Sequence, residues 1–326
     1  MNEHYINAFR KLKTDKSKSR WDERTTYRAP HKPILLLSVI DLFAQGSITA
    51  NLIELTPELG ELFTFYWATI FPPQTGKRGN IALPYFFLKS DGFWHLVPRP
   101  GKETILAATR KIQAVTHLQE LTLGARLDED LYALLQTEDG RSRLRHTLIT
   151  TYFTPDLQEA LLKQTEVNVA AFEYSEILLE EARQEHTDTI KKLAEKEKPV
   201  RDQGFRHAIV KIYEHRCAIC GIRILTVDGH TAIAAAHIIP WSKSHNDHPR
   251  NGLALCHLCH WVFDEGLVAF TDKYHIKASP QLSAASNLPG HLLGFVGKGL
   301  IGPSDEVFWP FLDSIRWHRK HVFRSH

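Results

Sequence analysis

The chain has four cysteines, and they form two pairs that each enclose two residues, Cys217 with Cys220 and Cys256 with Cys259. Thiolates at this spacing bind Zn²⁺ tetrahedrally, and two pairs supply the four ligands of a closed site. In a reducing compartment such pairs indicate a metal site rather than disulfides. We therefore predict a structural zinc ion, with four unrelated cysteines as the alternative. His257 lies inside the second pair and is expected at the surface.

A histidine, an asparagine and a second histidine lie between and just after the cysteine pairs: His237, Asn251 and His260. With the hairpin, loop and helix expected around them, they resemble the ββα-metal fold of HNH endonucleases. Further residues stand in the accompanying positions of that family's motif: Ile238, Pro240, Gly252, Leu253, Phe263, Asp264 and Gly266. The resemblance implies a site that hydrolyses phosphodiester bonds.

The residue types of this motif fit that chemistry. Phosphodiester hydrolysis needs an activated water, a Lewis acid on the leaving oxygen and charge compensation at phosphorus. His237 is the candidate general base, since histidine ordinarily titrates near neutrality. Asn251 is expected to hold a loop and to orient the imidazole of His237 through its side-chain carbonyl. His260 and Asp264 lie four apart on one predicted helix and face the same way, so we expect them to hold one Mg²⁺ or Mn²⁺.

One position departs from the family pattern. Ala236 stands just before the candidate base, where many relatives carry an Asp or a His that adds a metal ligand. The ligand set is therefore small, and the identity of the catalytic ion stays open. Each residue also has a plainer interpretation: His237 as a packed or surface residue, Asn251 as a turn residue, and Asp264 as a solvated helix end. A zinc-stabilised DNA-binding protein with a decayed site is thus one alternative.

The hydrophobic pattern predicts an α+β protein with two domains. We expect an α/β-mixed domain over 1–163, a charged helical linker over 164–204, and the ββα-metal domain with the four-cysteine zinc site over 205–326. In the first domain we predict helices over 33–43 and 59–71, and strands over 81–88 and 93–97 joined at 90–92. In the rest we predict helices over 173–198, 205–214, 255–265 and 309–323, and hairpins of 222–227 with 231–236 and of 267–270 with 274–278.

Two segments of the first domain carry a second resemblance. One is Tyr-Arg-Ala-Pro-His-Lys-Pro at 27–33, which leads into an apolar run, and the other is Ala-Leu-Pro-Tyr-Phe-Phe-Leu at 82–88, followed by Ser-Asp-Gly-Phe-Trp at 90–94. Together they resemble the sulfur-binding domain of the phosphorothioate-dependent restriction endonucleases of the ScoMcrA and SprMcrA type. The resemblance covers most of the domain and implies that it recognises phosphorothioated DNA.

Sulfur in place of a non-bridging phosphate oxygen is larger, softer and less hydrated, so an apolar pocket accepts it and makes an oxyanion lose hydration. By motif position, the resemblance implies that Leu83, Pro84 and Phe87 line such a pocket. It also implies that Arg24, His31 and Lys32 are the cationic donors. Further candidate DNA contacts are Arg28, Lys77, Arg78 and Arg110. The family often has Tyr in place of Leu83 and a smaller residue in place of Phe87. The plain alternative is packing, with 31–33 capping a helix and 83–88 forming a buried strand.

The bulk composition sets wide limits. The chain has 326 residues, 43% of them hydrophobic and 24% charged, as in soluble globular proteins. Its formal net charge of +3 permits a polyanionic partner without requiring one. The first residues lack the apolar segment of a signal peptide, and the strongest apolar run, 33–44, is too short to span a bilayer. We expect a cytoplasmic protein that does not enter a membrane.

These observations predict a modification-dependent, type IV-like restriction endonuclease. It would bind double-stranded DNA, recognise phosphorothioate and cut nearby by a one-metal HNH mechanism. One HNH module hydrolyses one strand, so a homodimer is expected. The alternative is a first domain that recognises a modified cytosine or a plain sequence. A flipped base needs an aromatic cage, for which Trp67, Trp94 and Tyr85 are candidates.

Overall fold

The computed structural model describes residues 2–184, 196–226, 229–283 and 287–326. Over these residues, helices accompany three two-stranded antiparallel sheets, so the α+β prediction is confirmed. The chain divides into two compact units, Met1–Val169 with Thr226–His230, and Ala170–Leu225 with Thr231–His326. Residues 164–204, expected as a linker, are shared between these units. Within the described ranges, no helix combines the length and apolar character that a membrane span requires.

The first unit contains one apolar core. Its elements are α1 (Asn2–Arg10), α2 (His31–Ala44), α3 (Pro57–Ile70), α4 (Ala82–Phe87), β1 (Trp94–Pro98), α5 (Glu103–Ala108), α6 (Val115–Leu121), β2 (Thr122–Leu127), α7 (Glu129–Gln136), α8 (Glu138–Tyr152) and the first part of α9 (Pro155–Arg183). Helix α2 is buried from its second residue to its penultimate one, because its apolar run leaves no polar face. Helix α3 is capped by Thr56, whose hydroxyl accepts the N–H of Leu59.

The segment predicted as a strand over 81–88 is helical, as α4. The prediction was wrong because a short apolar run does not distinguish the helical period from the strand period. In the helix, Leu83 and Phe87 lie four residues apart on one half-exposed face, whereas Tyr85 is fully buried. The strand predicted over 93–97 is confirmed as β1. Its antiparallel partner is β2, with Trp94 opposite Leu127.

The second unit places two sheets among helices. Its elements are the rest of α9, α10 (Lys198–Ile212), β3 (Ile233–His237), α11 (Trp241–Ser244), β4 (Gly252–Cys256), α12 (His257–Asp264), β5 (Val268–Phe270), β6 (Ile276–Ala278) and α13 (Leu312–His321). Strands β3 and β4 are antiparallel, with His237 opposite Gly252. Helices α10 and α12 both pack against this pair.

The hairpin predicted for 222–227 with 231–236 forms only beside its turn, where the N–H of Ala232 donates to the carbonyl of Ile224 and the N–H of Thr226 donates to that of His230. Strand β3 pairs instead with β4, and the described part of 222–227 carries an isolated bridge from Leu225 to Thr231. Residues 227–228 lie outside the described residues. The physical reason is burial, since β4 is buried along its whole length whereas Ile222 and Ile224 are exposed.

The other predictions for this unit are confirmed with shifted ends. Helix α12 begins two residues later than predicted because the residues before it form β4, and β5 pairs with β6 as expected. Helices α10 and α13 correspond to the helices predicted over 205–214 and 309–323. The helix predicted over 173–198 is observed as far as Arg183, and residues 185–195 of it lie outside the described residues.

Two glycines are required by close packing around the site. A Cβ at Gly252 would lie 2.3 Å from Cδ1 of Ile209 on α10, so this position lets α10 approach the strand beside His237. Gly266 has φ +68° and follows the end of α12, where a Cβ would lie 2.0 Å from the carbonyl oxygen of Val322. Its left-handed conformation terminates the helix.

Candidate functional site

The four cysteines converge in the second unit. Their sulfur atoms all lie within 4.8 Å of one another, and Sγ of Cys220 lies 3.7 Å from Sγ of Cys256. The first pair is shaped by a turn in which the N–H of Gly221, at φ +72°, donates to the carbonyl of Cys217. The N–H of Ala218 donates to the carbonyl of Ala254 on β4, which brings the first pair to the second.

The sulfur cluster has the chemistry of a cation site. A hydrogen bond from Cys259 lowers the pKa of Cys217 to about 5, whereas burial raises the pKa of Cys220 to about 12. The hydrogen bond to Cys217 and burial raise the pKa of Cys259. Four thiols in this space therefore favour one thiolate among themselves, and a bound divalent cation would stabilise all four as thiolates. Four soft donors in a closed set fit Zn²⁺.

His237 stands at the end of β3 with one ring nitrogen occupied and its ring face covered. Its Nε2 lies 2.7 Å from Oδ1 of Asp247. The ring of Phe205, on α10, stacks on the imidazole at 3.9 Å between centroids with an angle of 8°. A carboxylate accepts hydrogen bonds, so the proton of the neutral imidazole belongs on Nε2 and the lone pair on Nδ1. The His237 side chain is 23% exposed, which leaves it open to water.

Asn251 is fully buried and uses its amide to fix the loop between β3 and β4. Its Oδ1 accepts the N–H of Ile239 at 3.0 Å, and its Nδ2 donates to the carbonyls of Ile239 and Asn246 at 3.1 and 3.0 Å. The expected loop-holding contacts are therefore present. The side-chain carbonyl was expected to orient the imidazole of His237, but it bonds to the backbone, and the imidazole bonds to Asp247 instead.

His260 and Asp264 lie together on α12, with Nε2 of His260 3.3 Å from Oδ2 of Asp264. Burial raises the pKa of Asp264. Because α12 packs against β3 and β4, this pair belongs to the same small ββα unit as His237. The same helix exposes two large apolar side chains, Leu258 and Trp261, at 43% and 58%.

The expected cationic residues of the first unit have different environments. Nη2 of Arg24 lies 2.9 Å from Asp22 in an exposed pair. Lys32 is buried, and its Nζ lies 2.5 Å from Asp91, so its charge is already neutralised. Burial lowers the pKa of His31 to about 4, which makes it neutral at physiological pH. Lys32 and His31 are thus not free cations.

Several of the residues expected to contact DNA in the first unit lie beside aromatic side chains. His31 contacts the rings of Trp21 and Trp67 at 5.3 and 4.7 Å. Nζ of Lys77 lies 4.6 Å from the ring centre of Phe71. The other expected contacts differ in exposure, with Arg78 and Arg110 exposed, Arg28 half-exposed over the Tyr152 ring, Leu83 and Phe87 half-exposed, and Pro84 buried.

Sequence reasoning missed two residues that touch the candidate base, Asp247 and Phe205. Asp247 follows His237 by ten residues across a loop, and Phe205 comes from a helix that precedes the first cysteine pair. Neither spacing belongs to a helical or strand period. The available signal was an Asp between two polar residues, Asn246 and His248, in the segment just before Asn251.

Comparison with known families assigns both parts of the chain. Residues 3–169 match the family described as "ScoMcrA-like, DNA sulfur-binding domain", and residues 217–271 match the family described as "HNH endonuclease". A solved structure of a "Modification dependent TagI restriction endonuclease" is 28% identical over 39% of this chain, with a TM-score of 0.29. The match spans 40% of that chain. No curated protein sequence matches significantly.

Proposed function

Since the chain belongs to the family of the ScoMcrA-like DNA sulfur-binding domain and also contains an HNH endonuclease segment, we propose that it is a modification-dependent DNA endonuclease. In this proposal the first unit binds phosphorothioated double-stranded DNA and the second hydrolyses a phosphodiester bond nearby. The observation that carries the proposal is the presence of both family segments in one chain. The second segment encloses His237, Asn251, His260 and the cysteine cluster.

We assign the general base to His237. Its Nδ1 carries the lone pair and accepts a proton from the attacking water, while the Nε2–H stays bonded to Asp247. The side chain is open enough for water to reach it. Asn251 acts indirectly, because its three hydrogen bonds hold the loop that carries Asp247.

His260 and Asp264 are the residues that we assign to a catalytic divalent ion. One imidazole nitrogen and one carboxylate oxygen suit Mn²⁺, and also Mg²⁺ if phosphate oxygens and waters complete the coordination. When bound, such an ion supplies Lewis acidity at the leaving oxygen. The four sulfur atoms of the cysteine cluster lie close enough together to bind a single ion. We therefore assign a structural zinc ion to this cluster.

The exposed apolar side chains of α12 fit a role in DNA contact. Leu258 and Trp261 lie on the same short helix as the His260–Asp264 pair. An exposed indole offers a stacking face for a base or a sugar, whatever the sequence. In this proposal, α12 would bind the scissile phosphate through the ion held by His260 and Asp264. It would also contact the adjoining nucleotides through Leu258 and Trp261.

In the first unit, the outward face of α4 is the proposed contact for sulfur. Leu83 and Phe87 present adjacent apolar side chains that are half-exposed, which suits an atom that carries little hydration. The exposed Arg78 and Arg110, together with Lys77, supply positive charge for the phosphates. Arg24 can exchange its exposed partner Asp22 for a phosphate, and the neutral His31 can donate a hydrogen bond without adding charge.

The burial of the candidate aromatic rings disfavours recognition of a flipped base. Its aromatic cage would use Trp67, Trp94 and Tyr85, and all three are buried. The hydroxyl of Tyr85 is bonded to the carbonyl of Ile53, which fixes the ring inside the core. These rings serve packing, and sulfur is the mark that the surface residues fit better.

We further propose that the protein acts as a homodimer. One HNH site has one general base and hydrolyses one strand, so a double-strand break requires two copies. The expected result is a dimer mass for the protein bound to uncut modified DNA in Ca²⁺, measured by sedimentation. A monomer mass at concentrations that give double-strand breaks in Mg²⁺ or Mn²⁺ would contradict the dimer.

The function is tested with two duplexes that differ by one sulfur atom. Binding is measured in Ca²⁺, and nicking is measured in Mg²⁺ or Mn²⁺, for the natural protein and for His237→Ala. We expect tighter binding of the sulfur-containing duplex by both proteins, and nicking by the natural protein alone. Equal nicking by the two proteins would refute the catalytic assignment, and equal affinity for the two duplexes would refute the sulfur assignment.

A further inference from the structure

Asp247 is a buried carboxylate that joins the candidate base to two helices. It is 2% exposed, and its Oδ1 accepts from Nε2 of His237 at 2.7 Å. Its Oδ2 accepts from the hydroxyl of Tyr174, on α9, at 2.9 Å. The same oxygen lies 3.4 Å from Nη1 of Arg201, on α10. Three donors from three elements therefore surround one side chain.

The surroundings balance the charge of this carboxylate and hold it in place. A buried charge is tolerated only when it is paired and hydrogen-bonded. Arg201 provides the opposite charge, and its guanidinium lies 3.7 Å from the ring centre of Trp241, which holds it in place. Burial, and then the charge of Asp247, raises the pKa of Tyr174, so its hydroxyl stays a donor.

This arrangement leaves the neutral imidazole of His237 with one allowed tautomer. An ionised carboxylate can only accept, so the proton lies on Nε2 and the lone pair on Nδ1. Phe205 covers one face of the ring in a nearly parallel stack, which restrains the plane of the ring. Charge that develops on the ring during proton abstraction is balanced by the carboxylate.

We propose that Asp247 is the positioning residue of the nuclease site, which sets the tautomer and orientation of His237 and stabilises its protonated form. This inference rests on the proposed function for its kinetic consequences, but the tautomer itself does not depend on activity. Tyr174 and Arg201 hold Asp247 and thereby act one step further from the base.

The substitution Asp247→Asn tests the tautomer directly. The amide oxygen of the new side chain is drawn toward Arg201, which can only donate, so the amide N–H₂ turns toward Nε2 of His237. That donor would force the ring proton onto Nδ1, the atom that must accept from water. Long-range ¹H–¹⁵N spectra of the full chain report which nitrogen is protonated, and His237→Gln identifies the signals of this ring.

We expect the Nε2–H tautomer in the natural protein and the Nδ1–H tautomer in Asp247→Asn. An Nδ1–H tautomer in the natural protein, or an identical spectrum in the variant, would overturn the proposal. This readout is independent of cleavage, so it judges Asp247 even if the proposed nuclease activity is absent.

The kinetic test compares kcat, DNA affinity and the pH–rate profile. For Asp247→Asn we expect kcat to fall by at least about 100-fold, with the dissociation constant for DNA within about twofold, because the base is misdirected while the DNA surface is intact. The acidic limb of the profile should move to lower pH, since the protonated His237 ring loses the carboxylate that balances its charge. The substitution leaves the other charged groups on the helices that pack against β3 unchanged. These groups are Arg201, Asp202 and Arg206 on α10, and His260 and Asp264 on α12.

Two further variants separate positioning from folding. Asp202→Asn removes an exposed carboxylate that lies 3.5 Å from Arg201 but does not reach His237, and it should keep the natural rate and profile. Tyr174→Phe keeps the charge of Asp247 and removes one donor, so kcat should fall a few-fold with an unchanged tautomer. A natural kcat and profile in Asp247→Asn, with His237→Ala inactive, would overturn the positioning role and leave the nuclease assignment standing. Activity in His237→Ala would refute the nuclease assignment instead.

Discussion

The ring of Phe205 lies parallel to the imidazole of His237, 3.9 Å away between centroids. Phe205 is buried on α10, and α10 reaches β3 because Gly252 has no side chain in the way. The imidazole of His237 is thereby held on its face by a helix and on its edge by Asp247. The position of this ring thus depends on packing outside the motif that identifies the HNH segment.

Replacing this aromatic platform should slow cleavage without abolishing it. Phe205→Leu keeps an apolar side chain of similar volume, so the free energy of unfolding should fall by about 1–2 kcal/mol. The imidazole loses its stacking surface, and we expect kcat to fall about tenfold with DNA affinity retained. Thermal melting and nicking rates of the same preparations measure both effects. A natural kcat in Phe205→Leu would show that the stack has no role in orientation.

Loss of one cysteine should release the structural ion. Cys220→Ser removes one of four sulfur ligands, and we expect a zinc content below one ion per chain and a lower Tm, because metal binding contributes directly to folding. His257→Ala is the matched control, since His257 lies exposed between two of the ligands. It should keep its zinc and its Tm. Full zinc binding by Cys220→Ser would exclude the four-cysteine site.

The assignment of His260 and Asp264 to a catalytic divalent ion is tested by measuring the ion concentration that cleavage requires. Asp264→Asn removes the anionic donor beside His260, so half-maximal activity should require at least about tenfold more Mn²⁺ or Mg²⁺. Glu265→Gln is the matched control, because Glu265 pairs with Arg324 at 2.6 Å. The control should follow the natural titration curve. Overlapping curves for Asp264→Asn and the natural protein would remove Asp264 from the ligand set.

The role of the apolar face of α4 in sulfur recognition is tested by placing a polar, hydrated side chain on it. Leu83→Asn places an amide beside Phe87, and we expect the affinity ratio between sulfur-containing and unmodified duplexes to fall about tenfold. Leu123→Asn makes the same change at an exposed leucine on β2 and should leave the ratio unaltered. Competition binding at one fixed salt concentration gives the ratio. Equal ratios for the two variants would argue against α4 as the sulfur contact.

Acid should destabilise the second unit partly through His318. This residue is 3% exposed and stacks on Phe263 at 3.8 Å, and burial lowers its pKa from 6.5 to about 4. Its pKa is lower in the folded state, so the unfolded chain binds the proton first as pH falls. The stability contribution is complete above pH 6.5 and is lost progressively toward pH 4, by about 2 kcal/mol at pH 5.

Urea unfolding at pH 7.5 and pH 5 measures this contribution. His318→Gln lacks the titrating group, so its loss of stability between the two pH values should be smaller by about 2 kcal/mol. Protonation of the cysteines weakens zinc binding in both proteins and cancels in the comparison. Parallel losses in the two proteins would show that His318 is not protonated on unfolding.

The sequence predicted features whose signal is local or defined by a motif. The spacing of the four cysteines indicated a shared site, and the sulfur atoms do converge. The α+β class, the β5–β6 hairpin and the helix that ends before Gly266 followed from hydrophobic period and glycine position. The order of His237, Asn251 and His260 predicted an HNH segment, which the family comparison matches.

The predictions that were wrong or missing concern features that depend on packing between residues far apart in the chain. The apolar run at 81–88 fits a strand or a helix equally, and burial of Tyr85 in the core decides for the helix. Strand β3 pairs with β4 rather than with the segment 222–227, which is nearer in sequence, because β4 is buried throughout. The bond from Asp247 to His237 depends on Tyr174, 73 residues earlier in the chain, and no sequence pattern links them.

The most direct measurement of the whole account is the cleavage of two plasmids of identical sequence, one prepared in a host that phosphorothioates its DNA and one in a host that does not. With Mn²⁺ or Mg²⁺, the natural protein should cut the modified plasmid and leave the other intact, while His237→Ala should bind the modified plasmid without cutting it. Equal cleavage of both plasmids, or cleavage by His237→Ala at the natural rate, would contradict the account.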